Sequence, residues 1–204
     1  MTFSAVIVAA GRGQRFGDAK HLLEIDDTPL WKICERVLTD AGAVSTVVVG
    51  DVPGGIQGGE RRRDSVAIGV RAVEDSEFVL VHDVARPLAT VDLIERVVTR
   101  LAVGDVDGVV PIVPVRDALK HVAGDMIAAS VDRSNMAAVQ TPQGFVTRSL
   151  LLAHEHSSED AADDAELIER WGGTVATVQG DATNVKITYP EDLLLVRALW
   201  SARS

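Results

Sequence analysis

The chain opens on Ala5-Val6-Ile7-Val8-Ala9-Ala10, which runs straight into Gly11-Arg12-Gly13-Gln14-Arg15-Phe16-Gly17, with Lys20 just beyond. An unbroken Val- and Ile-rich run offers no face to water, so it reads as a strand buried on both sides of a parallel sheet. The glycines that end it let backbone N–H groups approach a ligand without an intervening Cβ. N–H groups fanned around such a turn form a concavity for anions. Arg15 and Lys20 add fixed positive charge, so the loop suits a polyphosphate, with a nucleoside triphosphate first among the candidates. Its spacing, Gly11-x-Gly13-x-x-x-Gly17, is not G-x-G-x-x-G, and no G-K-[ST] follows for a P-loop.

The rest of the chain alternates. Strand-like runs at 3–9, 45–50, 77–82, 108–113, 174–179 and 184–188 are separated by helical patterns at 28–41, 62–74, 90–103, 147–156, 162–172 and 189–202. Leu30, Ile33, Cys34, Val37 and Leu38 keep the 3.6-residue period. Asp92, Asp164 and Glu191 stand near helix starts, where a carboxylate suits the macrodipole, and Pro190 fits a first turn. This pattern predicts one α/β domain over residues 1–204, with a mostly parallel sheet and helices on both faces. Ligands of such sheets bind beyond the carboxyl ends of the strands, where the glycine-rich loop lies. Residues 114–143 break the alternation: Leu119–Val122 and Ile127–Val131 flank the turn Ala123-Gly124-Asp125 and predict a hairpin. A hairpin without its own core is marginal alone, so a second subunit is expected to pack on it.

Composition removes several function classes. A net charge of −10 argues against a nucleic-acid surface, which needs a broad basic face. No apolar run approaches the ~20 residues of a membrane span. The N-terminus goes directly into strand without the marks of a secretory signal, so a cytoplasmic location is expected. Cys34 is the single cysteine, which excludes an internal disulfide and a cysteine-based zinc cluster. Within this acidic chain Arg12, Arg15, Lys20, Arg61–Arg63, Arg86, Arg116, Arg133 and Lys186 form a cationic set, several at strand ends or loops. That placement fits a small anionic ligand drawn into a cleft. Arg62, Arg116 and Arg148 read instead as solvated surface charge. Asp163-Asp164 reads as a solvated helix start, because adjacent helical residues point apart. His82 reads as a structural hydrogen-bonder, and Trp31, Trp171 and Trp200 as core or interface.

Four more motifs fall at strand ends or loops. They are Gly58-Gly59-Glu60-Arg61-Arg62-Arg63-Asp64-Ser65-Val66, Val79-Leu80-Val81-His82-Asp83-Val84-Ala85-Arg86-Pro87, Thr141-Pro142-Gln143, and Asn184-Val185-Lys186-Ile187-Thr188 with Pro190-Glu191-Asp192-Leu193. With Ala9-Ala10-Gly11 through Lys20, this ordered set closely resembles the 2-C-methyl-D-erythritol 4-phosphate cytidylyltransferases of isoprenoid biosynthesis, from about residue 4 to residue 196. The resemblance implies a Rossmann-like nucleotidyltransferase fold and the transfer of CMP from CTP to the polyol phosphate. It makes Arg15 and Lys20 the stabilisers of the triphosphate's transition state, and Arg133 and Lys186 the pair that holds the methylerythritol phosphate group. Ala9, Ala10, Gly11, Gly59, Glu60, Ser65 and Val84 take nucleotide-contacting positions. Asp83, Arg86 and Thr141 fall on the polyol-phosphate side. Mg²⁺, bound chiefly by the triphosphate, is the implied cofactor, and residues 114–143 correspond to the family's dimerisation arm.

The chemistry asked of these residues is consistent with their types. A phosphate monoester has a second pKa near 6, so the nucleophile is ionised at neutral pH and needs no side-chain base. The barrier lies in bringing two polyanions together, which positioning and preorganised cations lower. The pattern also departs from the family. Ala118 and Ala162 stand where a threonine is usual, which removes two hydroxyls from the polyol pocket. The stretch from Val49 to Gly58 is short, lacking a helix and strand normally found there. Lys20 follows Ala19 where proline is common. A cytidylyltransferase for another polyol phosphate, such as ribitol 5-phosphate, and a guanylyltransferase of the molybdenum-cofactor type are alternative enzymes. A nucleotide-binding regulator without turnover is the alternative from another class.

Overall fold

The computed structural model describes residues 2–10 and 23–203. Gly11, Arg12, Arg15 and Lys20 therefore lie outside the described residues. In chain order the elements begin with β1 (Phe3–Val8), a small hairpin of β2 (Glu24–Ile25) and β3 (Thr28–Pro29), α1 (Leu30–Asp40) and β4 (Ala43–Val49). Then come α2 (Arg62–Arg71), β5 (Phe78–Asp83), α3 (Val91–Leu101), β6 (Gly108–Pro114), β7 (Lys120–Ala123), β8 (Met126–Ser130) and β9 (Ala137–Val139). The chain finishes with β10 (Gln143–Val146), α4 (Thr147–His156), α5 (Asp164–Trp171), β11 (Val175–Gln179) and α6 (Pro190–Ser201).

The main sheet runs β11-β6-β10-β5-β1-β4, with β9 attached to β6. β1 pairs in parallel with both β4 and β5, and β11 in parallel with β6. Side-chain alternation along the central strands divides the core in two. Phe3, Ala5 and Ile7 of β1 and Phe78 and Leu80 of β5 face α1, α3 and α6, packing with Leu30, Cys34, Ile94, Val97 and Val196. Val6 and Val8, with Val79 and Val81, face α2, α4 and α5 through Val66, Val70, Leu150, Leu167 and Ile168. Both faces are covered, which is why β1 has every residue buried and reads as an unbroken apolar run.

Local chemistry sets the helix ends. Thr90 Oγ1 accepts from Leu93 N–H at 3.2 Å at the start of α3, and Asp163 Oδ1 accepts from Glu166 N–H at 3.0 Å at the start of α5. Gly172, at φ +94°, ends α5 in the left-handed conformation that glycine tolerates best. Asp192 Oδ2 collects the N–H groups of Thr188 and Tyr189, each at 2.8 Å, ahead of Pro190 in α6.

Two parts of the chain differ from the pattern expected. Residues 184–188 are not a strand. They run past the end of β5, where Ile187 N–H bonds the Ala85 carbonyl at 2.8 Å and the Ile187 side chain is fully buried. Apolar content there serves burial rather than a ladder. β10 has no signature in the sequence pattern: it enters antiparallel between β5 and β6. Its four residues are too few to show a period, and Gly144 allows the close packing, since a Cβ there would meet Val97 Cγ1 at 2.7 Å. The hairpin at 114–143 is present as β7 and β8, and every residue of both strands is exposed. The short segment after β4 folds back as a compact loop, with Gly50 N–H on Ile56 O and Ile56 N–H on Val48 O, both 2.8 Å.

Candidate active site

The carboxyl ends of β1, β4 and β5 lie side by side. Ala9 N–H donates to Val49 O at 2.8 Å, and Val84 N–H to Val8 O at 3.2 Å. Beyond these ends opens a cleft of about 480 Å³, bordered by Ala10, Gly50, Val52, Gly55, Gly58 and Gly59. That volume suits a small ligand such as a nucleoside. Glycine is required where the wall is closest: a Cβ on Gly58 would sit 2.3 Å from Ala10 Cβ and 2.8 Å from Ser65 Oγ. Ser65 Oγ accepts the Gly59 N–H at 3.1 Å and lies 3.2 Å from the Arg61 carbonyl, to which it donates. Ser65 thus sets the shape of the loop, while Glu60 at its tip is exposed.

Three residues after Gly59, at the first position of α2, Arg62 turns into the site instead of into solvent. Its Nε lies 3.1 Å from Asp83 Oδ1 and its Nη2 2.9 Å from Asp164 Oδ2. Asp83 in turn takes Lys186 Nζ on Oδ2 at 2.6 Å. Burial would raise the Asp83 carboxyl, but Arg62 and Lys186 beside it, with Arg86 behind, hold it well below the usual carboxylate range. Burial weighs on the Arg62 guanidinium too, and the two carboxylates outweigh it and strengthen its charge. Two expectations are corrected here. Arg62 is not a solvated surface charge, and Asp164 is fully buried rather than a solvated helix start. Adjacent residues do point apart on α5, with Asp163 capping the helix and Asp164 turned inward against Arg62. Sequence gave one clue, a run of three arginines at a helix start, of which a helix can direct only some toward a cleft.

A second network fixes the floor of the site. Asp83 N–H donates to Thr141 Oγ1 at 3.1 Å, and Thr141 Oγ1 lies 3.1 Å from His82 Nδ1. His82 Nε2 is 3.1 Å from the Arg86 carbonyl. A carbonyl only accepts, so Nε2 carries the proton and Nδ1 accepts from the threonine hydroxyl. Burial pushes the imidazole down to about 4, so His82 is neutral and fully engaged, as a structural hydrogen-bonder should be. Asn184 Nδ2 donates to Thr141 O at 2.8 Å, and Arg86 Nη1 donates to Asn184 O at 2.8 Å. Arg86 Nη2 reaches Val139 O at 3.2 Å. Asn184, for which the sequence shows no role beyond its place in a motif, therefore ties β5, the segment ahead of β10 and the Lys186 segment together.

The structure brings together Ala9, Ala10, Gly59, Ser65, Val84, Asp83, Arg86, Thr141 and Lys186 at one edge of the sheet. Arg133 stands apart. Its Nη1 donates to the carbonyls of Val115 at 2.8 Å, Arg116, and Asp117 at 3.2 Å, all within its own arm. Among the described residues no group of three or more His, Cys, Asp or Glu side chains is placed to cage a metal ion.

The sequence model for 2-C-methyl-D-erythritol 4-phosphate cytidylyltransferase matches residues 3–201. The chain belongs to that family. The cytidylyltransferase of Rhodococcus jostii is 39% identical, over 96% of this chain and 93% of that enzyme. That of Nocardia farcinica is 38% identical, over 98% and 94%. A bifunctional IspD/IspF enzyme of Solidesulfovibrio magneticus is 38% identical over 95% of this chain, which spans 56% of that longer protein. The crystal structure of the Thermus thermophilus cytidylyltransferase superposes with a TM-score of 0.83 at 35% identity, covering 98% of each chain. The α/β nucleotidyltransferase fold expected from sequence is the fold of this family. Its activity is CTP-dependent cytidylyl transfer to 2-C-methyl-D-erythritol 4-phosphate.

Proposed function

We propose that this chain carries out the family's reaction with the residues gathered at the β1–β4–β5 edge, and that the placement of Lys186 against Asp83 beside the glycine-walled cleft is the observation that carries this reading. The phosphate oxygen of the polyol phosphate attacks the α-phosphorus of CTP. A new P–O bond forms, the bond to the β-phosphate oxygen breaks, and pyrophosphate leaves with the electron pair. The attacking phosphate is already largely dianionic at neutral pH, which is compatible with a site whose histidine, His82, is neutral and engaged at both nitrogens.

In this reading Ala9, Ala10, Gly11, Gly59, Glu60, Ser65 and Val84 shape the nucleotide site, and Arg15 and Lys20 face the charge that grows on the triphosphate. Lys186 and Arg133 hold the polyol phosphate. Asp83 and Thr141 lie toward the polyol, and Arg86 keeps the wall that carries Lys186. Mg²⁺, held chiefly by the triphosphate oxygens of CTP, would supply neutralisation of phosphoryl charge. The arm at 114–143 belongs to a homodimer: Val122, Met126 and Ile127 are 69%, 66% and 65% exposed, more apolar surface than a two-stranded hairpin sustains in water. A partner's arm brings Arg133 to the site. In this reading the enzyme is cytoplasmic; no described helix is long and apolar enough to cross a membrane.

A pyrophosphate-release screen of CTP, UTP, GTP and ATP against 2-C-methyl-D-erythritol 4-phosphate and ribitol 5-phosphate tests the reading. CTP with the methylerythritol phosphate is expected to turn over fastest. Faster release with GTP would overturn the nucleotide assignment, and a preference for ribitol 5-phosphate would overturn the polyol.

A further inference from the structure

Asp164 is the first residue of α5 and is wholly buried. A carboxylate removed from water carries a heavy desolvation cost unless it is paired. Its ionic partner is Arg62, with Nη2 at 2.9 Å from Oδ2, and neither carboxylate oxygen has a partner in hydrogen-bond geometry among the described residues. Arg62 presents Nε to Asp83 Oδ1 at 3.1 Å, and Asp83 Oδ2 takes Lys186 Nζ at 2.6 Å. Four charges of alternating sign therefore run from the buried start of α5 past the end of β5 to the half-exposed Lys186. We propose that Asp164 is a positioning residue for the transfer reaction: acting through Arg62 and Asp83, it fixes where Lys186 points. The inference rests on the reading that Lys186 holds the polyol phosphate.

Lysine is a point charge on a flexible stem, so its direction is set by its anion. The Asp83 carboxylate is in turn set by what occupies its other oxygen, which is Arg62. A guanidinium held at one edge only is free to swing about that contact; with a hydrogen bond at Nε and a buried carboxylate at ion-pair distance from Nη2, the swing is opposed by charge at its far end. Asp164 supplies the second hold, and its own base is rigid. Asp163 caps α5 and accepts from Gln143 Nε2 at 3.0 Å, which ties the helix to β10. The neighbouring arginines tie the segment ahead of α5 to the start of α2: Arg61 Nη1 donates to Ser158 O at 2.8 Å and Arg63 Nη2 to His154 O at 3.0 Å. Those contacts hold α5 to β10 and the start of α2 to α4 and the loop after it, so neither helix depends on the Arg62–Asp164 pair alone for its place.

The test is Asp164→Asn, made alone and together with Lys186→Ala, with kcat and both KM values measured beside the melting temperature. The single variant is expected to raise KM for 2-C-methyl-D-erythritol 4-phosphate roughly tenfold and to leave KM for CTP within about twofold. In the Lys186→Ala background it should add nothing to that KM, because the group it positions is gone. An undiminished effect in that background, or an equal rise in both KM values, overturns the proposal. If Asp164→Asn does not fold, Arg62→Gln replaces it, since that side chain is 30% exposed, and the same non-additivity with Lys186→Ala is required. Should Lys186→Ala itself leave KM for the polyol phosphate unchanged, the assignment of Lys186 fails; an effective Lys186→Ala with additive partners sinks the role of Asp164 alone.

Discussion

Lys186 and Asp83 lie 103 positions apart in sequence and meet in an ion pair of 2.6 Å. The Asp83 carboxyl sits well below the usual range because Arg62 and Lys186 overcome the effect of burial. A carboxyl whose folded value is depressed stabilises the protein above its unfolded value of about 3.9, and that contribution is lost as the pH falls through the folded value. Asp83→Asn should therefore cost about 3 kcal/mol at pH 7, most of it through Arg62, since Lys186 is 44% exposed and partly screened. Urea unfolding at pH 7 and pH 3 checks this: the deficit should shrink at the lower pH. A constant deficit would mean that packing, not charge, is lost.

His154 is buried with both ring nitrogens unpartnered among the described residues. Burial, reinforced by Arg63, Arg71 and Arg62, pushes it down to about 4. The unfolded chain takes up this proton near pH 6.5 while the folded protein refuses it, so stability present above that value declines as the pH falls toward 4. His82 behaves in the same way, each contributing a loss of roughly 3 kcal/mol across the window. His154→Leu should be neutral or stabilising at pH 7 and should make the decline between pH 7 and pH 5 about half as steep. An unchanged slope in urea unfolding would refute it.

Gly58 stands where a Cβ would meet Ala10 Cβ at 2.3 Å and Ser65 Oγ at 2.8 Å. Gly58→Ala must displace the loop wall that borders the cleft. KM for CTP is expected to rise on the order of tenfold, with KM for the polyol phosphate little changed. The opposite ranking of the two KM values would move the nucleotide away from this wall.

Arg15→Ala and Lys20→Ala should each lower kcat roughly 10²-fold or more if, as proposed, they oppose charge that develops in the transition state. Normal kcat with weakened CTP binding in the Lys20 variant would make it a ground-state binder only.

Arg133→Ala protomers mixed with Lys20→Ala protomers should regain activity, since a shared site restores one intact centre per heterodimer. Absence of recovery in proven heterodimers would defeat the shared site, and a fully active monomer by light scattering would defeat the dimer.

The sequence by itself determined the α/β class, the double burial of β1 and the hairpin at 120–130. Each of these is written locally, in an unbroken apolar run, in helical periodicity and in turn residues, because the forces behind them act between near neighbours. Its motifs also picked out Asp83, which closes β5, and Gly59, in the loop ahead of α2. Only the tertiary structure decided which charges are buried and paired. Arg62 and Asp164 look like surface residues in sequence, and nothing local distinguishes Arg62 from Arg61 or Arg63. Its partners come from α5, 102 positions on, and from the end of β5, 21 positions on. The meaning of a charge depends on its burial and on its counter-charge, and both are set by the packing of α2 and α5 on one face of the sheet.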